Sequence, residues 1–480
     1  MRTTWLGLEI ALRGLQAQQV AINTTGHNVA NTNTPGFTRQ GVRMVATEPL
    51  SNGSSRITAG MIGTGVEVNK IQRIRDEFLD YHYRLRSAAN GEASAWVRVF
   101  DQLEDIFREP SDNGFRAQMD RFWDAMQSLF NDPSAPATRA EVVESARGLM
   151  DAIRDTAQRL EDLHAALNDE LVTRINDINR MLVELAELNR DIAFAQARGE
   201  EANDLMDRRD LLADELARIA GARVYMSKNG MYAVSIGGRL VLQGELIQGF
   251  DLQDVDGDGD QDIVWVADNQ PVTITGGELA AIQKARDETI PTYISYLETW
   301  TRALIDNFNA QHRQGYFKDA AGNPQTGQEF FSANSAATGL SYLKSVAVIA
   351  EPWQVAAAGD PNVYHDDASN VQELLKVLEN PALVVHPDLS PGGTSLQGFY
   401  RTLIAELGVT ARHARAMETT TEMQLDQANN QRLSVMGVNL DEEMTRLIQY
   451  QHAYGAAGRL MTAVDEMLDV LVNRVGLVGR

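Results

Sequence analysis

The chain has 480 residues, 44% of them hydrophobic, which is enough for about two to four domains with cores of their own. It has no cysteine, so disulfide bonds, a cysteine-ligated zinc site and thiol catalysis are excluded. A formal net charge of -23 disfavours nucleic acid and anionic membranes as partners.

The first 75 residues differ in charge from the rest, because eight Lys or Arg stand against three Asp or Glu, a balance of +5. These cations are scattered and are interpreted as solvated helix faces and polar contacts. No segment approaches the ~20 apolar residues of a membrane span, and Glu9 and Arg13 interrupt any apolar signal core. These features alone predict a cytoplasmic protein without membrane insertion.

The first predicted helix begins near Trp5 and ends near Asn31, before the turn formers that surround Pro35. Two rows of its residues recur every seven positions: Trp5, Leu12, Gln19 and Gly26, and beside them Leu8, Leu15, Ile22 and Val29. This spacing predicts a narrow coiled-coil seam. Residues 37–75 then predict an extended, hairpin-rich connector.

The last predicted helix carries a second, longer seam. Its rows are Leu440, Leu447, Tyr454, Met461, Leu468 and Val475, and Tyr450, Ala457, Val464 and Leu471. Asn439 and Glu442 have the spacing of a capping box, which sets the helix start after Gly437. A helix of about 35 residues spans roughly 50 Å, so each seam needs a partner helix and the opposite terminus is the nearest candidate. The alternative is two ordinary surface helices docked on a globular core.

The middle of the chain changes character several times. Residues 92–221 have helical periodicity almost throughout, which predicts a bundle of long antiparallel helices. Residues 222–277 hold short β-prone runs separated by Asn229-Gly230 and Gly237-Gly238, which predicts an inserted β domain. Helical periodicity returns at 278–314 and again at 394–436, and the segment between them is loop-rich with one helix near 371–378.

The predicted fold is therefore mainly α with inserted β structure. Residues 1–60 with 437–480 form a terminal assembly domain of paired, coiled-coil-like helices. Residues 61–221 with 278–314 and 394–436 form a body of long bundled helices. Residues 222–277 form a small β-rich outer domain, and residues 315–393 form a mixed, loop-rich region that can be assigned to the same outer domain.

No catalytic motif is present in the chain. It lacks the His-Glu-x-x-His, Gly-x-Ser-x-Gly and phosphate-loop patterns, and its eight histidines are dispersed without a nucleophile pattern nearby. A hydrolase carried by the variable middle would have only dispersed His and Asp residues to use. We therefore predict no enzyme activity and no catalytic residue.

One acidic loop has the pattern of a cation site. Asp254, Asp256, Asp258 and Asp262 occupy positions 1, 3, 5 and 9 of a calcium loop, with a glycine at position 6. Trp265 stands where the bidentate glutamate belongs, so the alternative is an Asp/Gly hairpin turn. Bound calcium would be structural, and no other cofactor is predicted. This loop supports an alternative function as a calcium-responsive extracellular adhesin or binding module.

Two terminal motifs resemble a known family. The run Asn28-Val29-Ala30-Asn31-Thr32-Asn33-Thr34-Pro35-Gly36-Phe37 resembles the N-terminal signature of the flagellar rod, hook and hook-associated axial proteins. Residues 437–443, followed by 449–454, resemble the C-terminal signature of the same proteins. Three further segments resemble the hook-associated members at the junction of hook and filament: 37–40, 203–212, and 308–312 leading to Gly315-Tyr316.

The resemblance implies a structural subunit that joins hook to filament in the bacterial flagellum. It implies export through the flagellum's own secretion channel without a cleaved signal peptide, which replaces the cytoplasmic prediction with an extracellular one. It also implies four kinds of partner: copies of the chain, the hook subunit, a second junction protein on the filament side, and an export chaperone at the C-terminal helix.

The predicted assembly interface lies on the two terminal seams. Leu8, Leu12, Leu15 and Ile22 are expected to pack against Leu447, Tyr454, Met461 and Leu468, with Leu440 and Tyr450 in the same seam. Asn31, Pro35, Gly36 and Phe37 are expected to fix the angle at which the chain leaves the first helix.

Overall fold

The computed structural model describes residues 2–50, 61–107, 114–255, 257, 259–319, 322–363 and 366–474. Its helices are α1 (Arg2–Ala30), α2 (Glu77–Phe107), α3 (Phe115–Asn131), α4 (Pro136–Ala197), α5 (Asn203–Ala220), α6 (Glu278–Lys284), α7 (Ile290–His312), α8 (Gly339–Lys344), α9 (Ser369–Glu379), α10 (Leu396–Met436) and α11 (Leu440–Asp469). One turn of π-helix, Ala285–Thr289, joins α6 to α7. Among the described residues, no helix has the length and apolar character that crossing a membrane requires. The predicted class, mainly α with small β elements, is confirmed.

The strands form small antiparallel ladders. They are β1 (Gln40–Ala46), β2 (Val66–Arg73), β3 (Arg223–Met226), β4 (Tyr232–Ile236), β5 (Arg239–Gln243), β6 (Leu246–Ile247), β7 (Phe250–Gln253), β8 (Asp262–Trp265), β9 (Tyr316–Lys318), β10 (Pro324–Thr326), β11 (Phe331–Ser332), β12 (Ala347–Val348), β13 (Val384–His386) and β14 (Ser390–Thr394). One sheet has four strands in the order β3-β4-β5-β6, and the others are two-stranded.

The helical body is organised around α4, which has 62 residues and is ~90 Å long at 1.5 Å per residue. Its predicted apolar rows are buried, with Leu171, Ile175, Ile178 and Leu185 fully inaccessible to solvent. Helices α3 and α5 pack against α4, and α10 packs along α2. The resulting core is continuous from the bundle into the inserted sheet.

The connector does not end at the boundary predicted between the terminal domain and the helical body. Residues 61–75 were assigned to the helical body, but β2 pairs along its whole length with β1 of the terminal domain. The predicted limit at residue 60 therefore falls inside a hairpin. Helix α2 begins at Glu77, where Glu77 and Asp80 place negative charge in the first helical turn and favour its start.

Two close glycine contacts form the neck of the inserted sheet. Gly221 ends α5 in the left-handed region, with φ of +61°, and Gly277 precedes α6 with φ of +79°. A Cβ atom on Gly221 would lie 2.9 Å from the carbonyl carbon of Gly276, and one on Gly277 would lie 2.6 Å from the nitrogen of Gly221. Strands β3 to β8 all lie between these glycines, although the division of the chain into domains stays a prediction.

The loop-rich region 315–393 is held on α7 by two side chains of the 308–312 motif. Asn309 accepts hydrogen bonds from the backbone nitrogens of Phe330 (2.9 Å) and Phe331 (3.0 Å) and donates one to the carbonyl of Phe331 (2.8 Å). His312 lies 2.6 Å from the carbonyl of Gln328 through Nδ1, and its Nε2 accepts from the nitrogen of Ala356 at 3.0 Å. The imidazole must therefore be neutral, with its proton on Nδ1, because a second proton would face the amide of Ala356.

We expect His312 to make the stability of this region depend on pH. Burial lowers the pKa of His312 to about 4 from its ordinary 6.5, against a smaller opposing effect of the Gln328 hydrogen bond. The unfolded chain therefore binds this proton more readily, and stability present above pH 6.5 falls as pH drops toward 4, by on the order of 3 kcal/mol. Urea unfolding should show about 2 kcal/mol of this loss between pH 7 and pH 5 in the wild type. It should shrink in His312→Gln, which cannot ionise, and persist in His413→Gln, a change on the exposed face of α10; equal losses in all three would contradict the assignment.

Candidate functional site

The terminal helices α1 and α11 pack antiparallel in one clear register. A Cβ atom on Gly7 would lie 3.2 Å from Cγ2 of Val464, and one on Gly14 would lie 3.6 Å from Cβ of Ala457. At the other end, Asn28 donates to Glu443 at 3.0 Å. Each step of seven along α1 is therefore a step of seven back along α11, and the same register places Ala21, fully buried, opposite Tyr450.

The seam that α1 presents to α11 differs from the predicted one. The row that packs on α11 is Gly7, Gly14, Ala21 and Asn28, which is two residues out of step with the predicted row that begins at Trp5. Two residues correspond to about 200° of rotation, so the row that begins at Trp5 and Leu12 lies on the opposite face. The prediction chose the largest apolar side chains, whereas small ones let the two helices approach closely.

The predicted interface residues occupy two kinds of position. Leu8, Leu15, Ile22, Leu447, Tyr450, Met461 and Leu468 are half-buried. Leu12, Leu440 and Tyr454 remain exposed, with 43%, 48% and 39% of their surfaces accessible. The predicted packing within one chain is therefore incomplete, and a role for these side chains in contacts between copies stays a prediction.

The turn after α1 is ordered by local hydrogen bonds. Asn31 donates to the carbonyl of His27 at 3.0 Å and accepts from the hydroxyl of Thr34 at 3.1 Å. Phe37 packs edge-on against the His27 ring, with 5.3 Å between ring centroids. Gly36 has φ of +79°, which favours glycine, and faces Leu211 of α5. Pro35 is exposed.

A buried carboxylate closes the end of the terminal pair. Glu443, 1% exposed, accepts from Asn28 and from Nε of Arg39 at 2.8 Å. Arg39 also donates to Glu442 at 2.7 Å, and Asn28 binds both backbone polar groups of Gln40. Asn439 caps α11 by accepting from the nitrogens of Asp441 and Glu442, as predicted, but the side chain of Glu442 binds Arg39 and does not complete the capping box.

A row of carboxylates on α5 connects the connector to the body. Asp207 accepts from the nitrogen of Thr38 (2.9 Å) and from Arg73 (2.8 Å). Asp214 forms ion pairs with Arg84 of α2 and with Arg432 of α10, both at 2.7 Å. Five segments, namely the turn, the hairpin, α2, α5 and α10, therefore meet at this row.

Asp210 lies at the centre of that row. It pairs with Arg73 at 2.6 Å, Arg75 at 3.1 Å and Arg84 at 3.2 Å, and it accepts from the hydroxyl of Tyr232 in the inserted sheet. Burial alone would raise the pKa of Asp210, but the charges of Arg75, Arg73 and Arg84 outweigh it and hold the pKa far below its ordinary value. The spacing of Asn203, Asp207, Asp210 and Asp214 on one helical face is the sequence signal for this cluster, and no catalytic or metal-binding motif coincides with it.

The acidic loop is only partly described. Asp254 accepts from the nitrogens of Gly257 (2.7 Å) and Gly259 (3.2 Å), and Asp262 accepts from the nitrogen of Val255 (3.3 Å). Asp256 and Asp258 lie outside the described residues. Within the part of the chain that the structure describes, no group of three or more acidic or histidine side chains is placed to hold a metal. Calcium binding stays a prediction.

Comparisons with known proteins agree with the two terminal motifs and the helical body. Models of three families match: the flagella basal body rod protein at residues 8–38, the flagellar hook-associated protein FlgK helical domain at 100–331, and the flagellar basal body rod FlgEFG protein C-terminal at 429–474. The flagellar hook-associated protein 1 of Bacillus subtilis is 30% identical over 516 residues, which cover 100% of both chains. The chain belongs to the flagellar hook-associated protein 1 family.

Other members of the family extend the agreement. The protein of the same name from Salmonella typhimurium is 26% identical over 96% of this chain and 98% of its own. The solved structure of the flagellar hook junction protein FlgK from Burkholderia pseudomallei has a TM-score of 0.63 at 15% identity, covering 74% of this chain and 99% of that one, and shows the fold alone. Family membership confirms the predicted structural role at the junction of hook and filament.

Replacing Gly14 by leucine should separate the terminal helices. The added side chain would enter a 3.6 Å contact with Ala457, and overpacking of this kind costs about 1–3 kcal/mol. Hydrogen exchange of the α1 amides should accelerate in Gly14→Leu. Gly26→Leu is the matched control, because Gly26 is exposed with no atom within 4 Å of an added Cβ; the register is wrong if both variants behave alike.

Neutralising Asp210 should destabilise the body strongly. Asp210→Asn leaves the buried guanidinium groups of Arg73 and Arg75 short of negative charge, for which we expect a loss of about 3–5 kcal/mol in urea unfolding at pH 7. Glu184→Gln, which breaks the exposed pair with Arg208, should cost less than about 1 kcal/mol. Equal costs for the two variants would remove the central role given to Asp210.

Proposed function

We propose that the outward faces of α1 and α11 make the joint between hook and filament. The observation that carries this is that α11, with 30 residues, buries only Glu443 and Val464. A helix of this length gains its stability mainly from packing an apolar face, so its uncovered side chains call for neighbours. The neighbours are copies of the chain, the hook subunit and a second junction protein on the filament side.

Large apolar side chains remain exposed to solvent on both α1 and α11. On α1, Trp5 is 64% exposed, and Leu12 follows on the same face. On α11, the exposed large apolar residues are Leu440, Met444, Ile448, Tyr454, Leu460 and Met467. At 100° per residue these side chains lie on more than one side of α11, which suits contacts with more than one neighbour. Head-to-tail contacts between identical subunits generate rings or helical arrays. The rod and hook family models at both ends support self-assembly.

We further propose that the chain reaches this place by export through the flagellar secretion channel, without a cleaved signal peptide, and works outside the cell. The exposed apolar side chains of α11 also suit an export chaperone before assembly, because a chaperone would cover neighbours such as Met444 and Ile448 in the cytosol. The proposal assigns the chain no catalytic role, in keeping with relatives that are structural flagellar proteins.

The joint can be tested on exposed residues that the folded chain does not need. Trp5→Asp combined with Leu12→Asp should leave the melting temperature unchanged and abolish stable retention on purified hooks, because charge replaces the apolar contact. Thr402→Asp combined with Thr419→Asp adds the same charge at exposed polar positions of α10, away from this face of α1, and should be retained. Normal filament attachment and motility with the first pair would show that this face of α1 is not the joint.

A further inference from the structure

A groove between α2 and the edge of the inserted sheet is open to solvent. Its volume is about 630 Å³, and one wall is the first half of α2, from Glu77 to Glu92, while the other is β3. Four large side chains along it are about half exposed: Tyr81, Leu85, Tyr225 and Met226. None of these contributes to the seam between α1 and α11.

The β3 wall offers backbone hydrogen bonds. Strand β3 pairs with β4 on one side and ends the order of its sheet on the other. An open edge flanked by apolar side chains is the setting in which proteins accept an added strand. The groove therefore fits an extended segment with strand geometry.

The β1–β2 hairpin has the features of that segment. Its two strands form an isolated two-stranded sheet, and such pairs are marginal alone. The outer edge of each strand has no strand partner, although Asn28 binds the backbone of Gln40 and Asn203 that of Ile71. Strand β3 has four residues and spans ~14 Å at 3.4 Å each, so part of the seven-residue β1 is enough to pair along it. The hairpin of the same chain cannot fill the groove, because Gly65 packs on Ile10 of α1 and Asn203 binds the carbonyl of Ile71.

The charges of the hairpin and of the groove indicate in which direction the hairpin would lie. Arg43 stands directly opposite Lys70, a like-charge pair that destabilises a ladder unless an anion compensates. Arg43 forms no ion pair with any described residue, and Lys70 reaches Glu201 only at 3.8 Å. Glu77, exposed at one end of the groove, also lacks an ion pair within the described chain, and so does Asp76 just before it.

We propose that the β1–β2 hairpin of a second copy docks in this groove, adding a strand to β3 and placing Arg43 and Lys70 against Glu77. The contact links neighbouring copies beyond their terminal helices. It rests on the proposed function only in requiring that copies of the chain assemble side by side.

A charge swap in the full chain, expressed in the source bacterium, tests the contact. The readout is the fraction of exported chain retained on isolated hooks against the fraction released into the medium. Arg43→Glu with Lys70→Glu, and separately Glu77→Lys, should lower retention about fivefold, and the triple variant should recover to within about twofold of wild type. Asp105→Lys, at an exposed position of α2 outside the groove, should leave retention unchanged.

The outcomes separate the two proposals. Wild-type retention in the single arms, or no recovery in the triple variant, overturns the groove contact. Failure of the wild-type chain itself to be retained would instead overturn the role of the joint. A disulfide adds a direct measurement, since the chain has no cysteine of its own: Arg43→Cys with Tyr81→Cys should give linked copies on hooks after oxidation, and their absence despite normal retention also rejects the contact.

Discussion

The arrangement of the whole molecule depends on the carboxylate of Glu443. It is almost fully removed from solvent, and it is held by Asn28 at the end of α1 and by Arg39 in the connector. Removing one partner of such a group leaves a buried charge without compensation, which costs far more than a surface pair gains. The end of α1, the connector and the start of α11 are therefore held in one fixed arrangement. The pair of terminal helices keeps a fixed direction relative to the connector.

From that point, charged contacts continue into the body. Thr38, the residue just before Arg39, binds Asp207 of α5 through its backbone nitrogen. Arg73 and Arg75 then bind Asp210, and Arg84 and Arg432 bind Asp214. Tyr232 extends the same network into the inserted sheet. Ion pairs in water are weak, but these are shielded from solvent and share partners, so the contacts support one another. A subunit that joins hook to filament benefits from such a stiff connection between its terminal helices and its helical body.

The sequence predicted the large elements well because they follow strong periodicities. The rows at Leu171, Ile175 and Ile178 marked α4 as a buried helix, and Asn439 marked the start of α11. The predicted contact face of α1 differs from the observed one because a search for heptads favours large apolar side chains. Gly7, Gly14 and Ala21 contribute because their small side chains let α11 approach closely. The Asp207, Asp210 and Asp214 cluster was missed because acidic residues on a helix ordinarily face water, and only the arginines brought by distant segments make burial possible. The two arms of the β1–β2 hairpin were assigned to different domains because a ladder of hydrogen bonds leaves little trace in composition.

The neck at Gly221 and Gly277 gives the inserted sheet a particular independence. The chain leaves the helical body and returns to it at nearly the same point, since the backbones of Gly221 and Gly276 are in contact. The positions of α5 and α6 therefore do not depend on the length of the inserted segment between them. A segment of another size whose ends meet at the same spacing could replace β3 to β8 without shifting α5 or α6, provided that it supplies a partner for Asp210. The inserted sheet is in this sense an exchangeable module on a fixed geometry of helices.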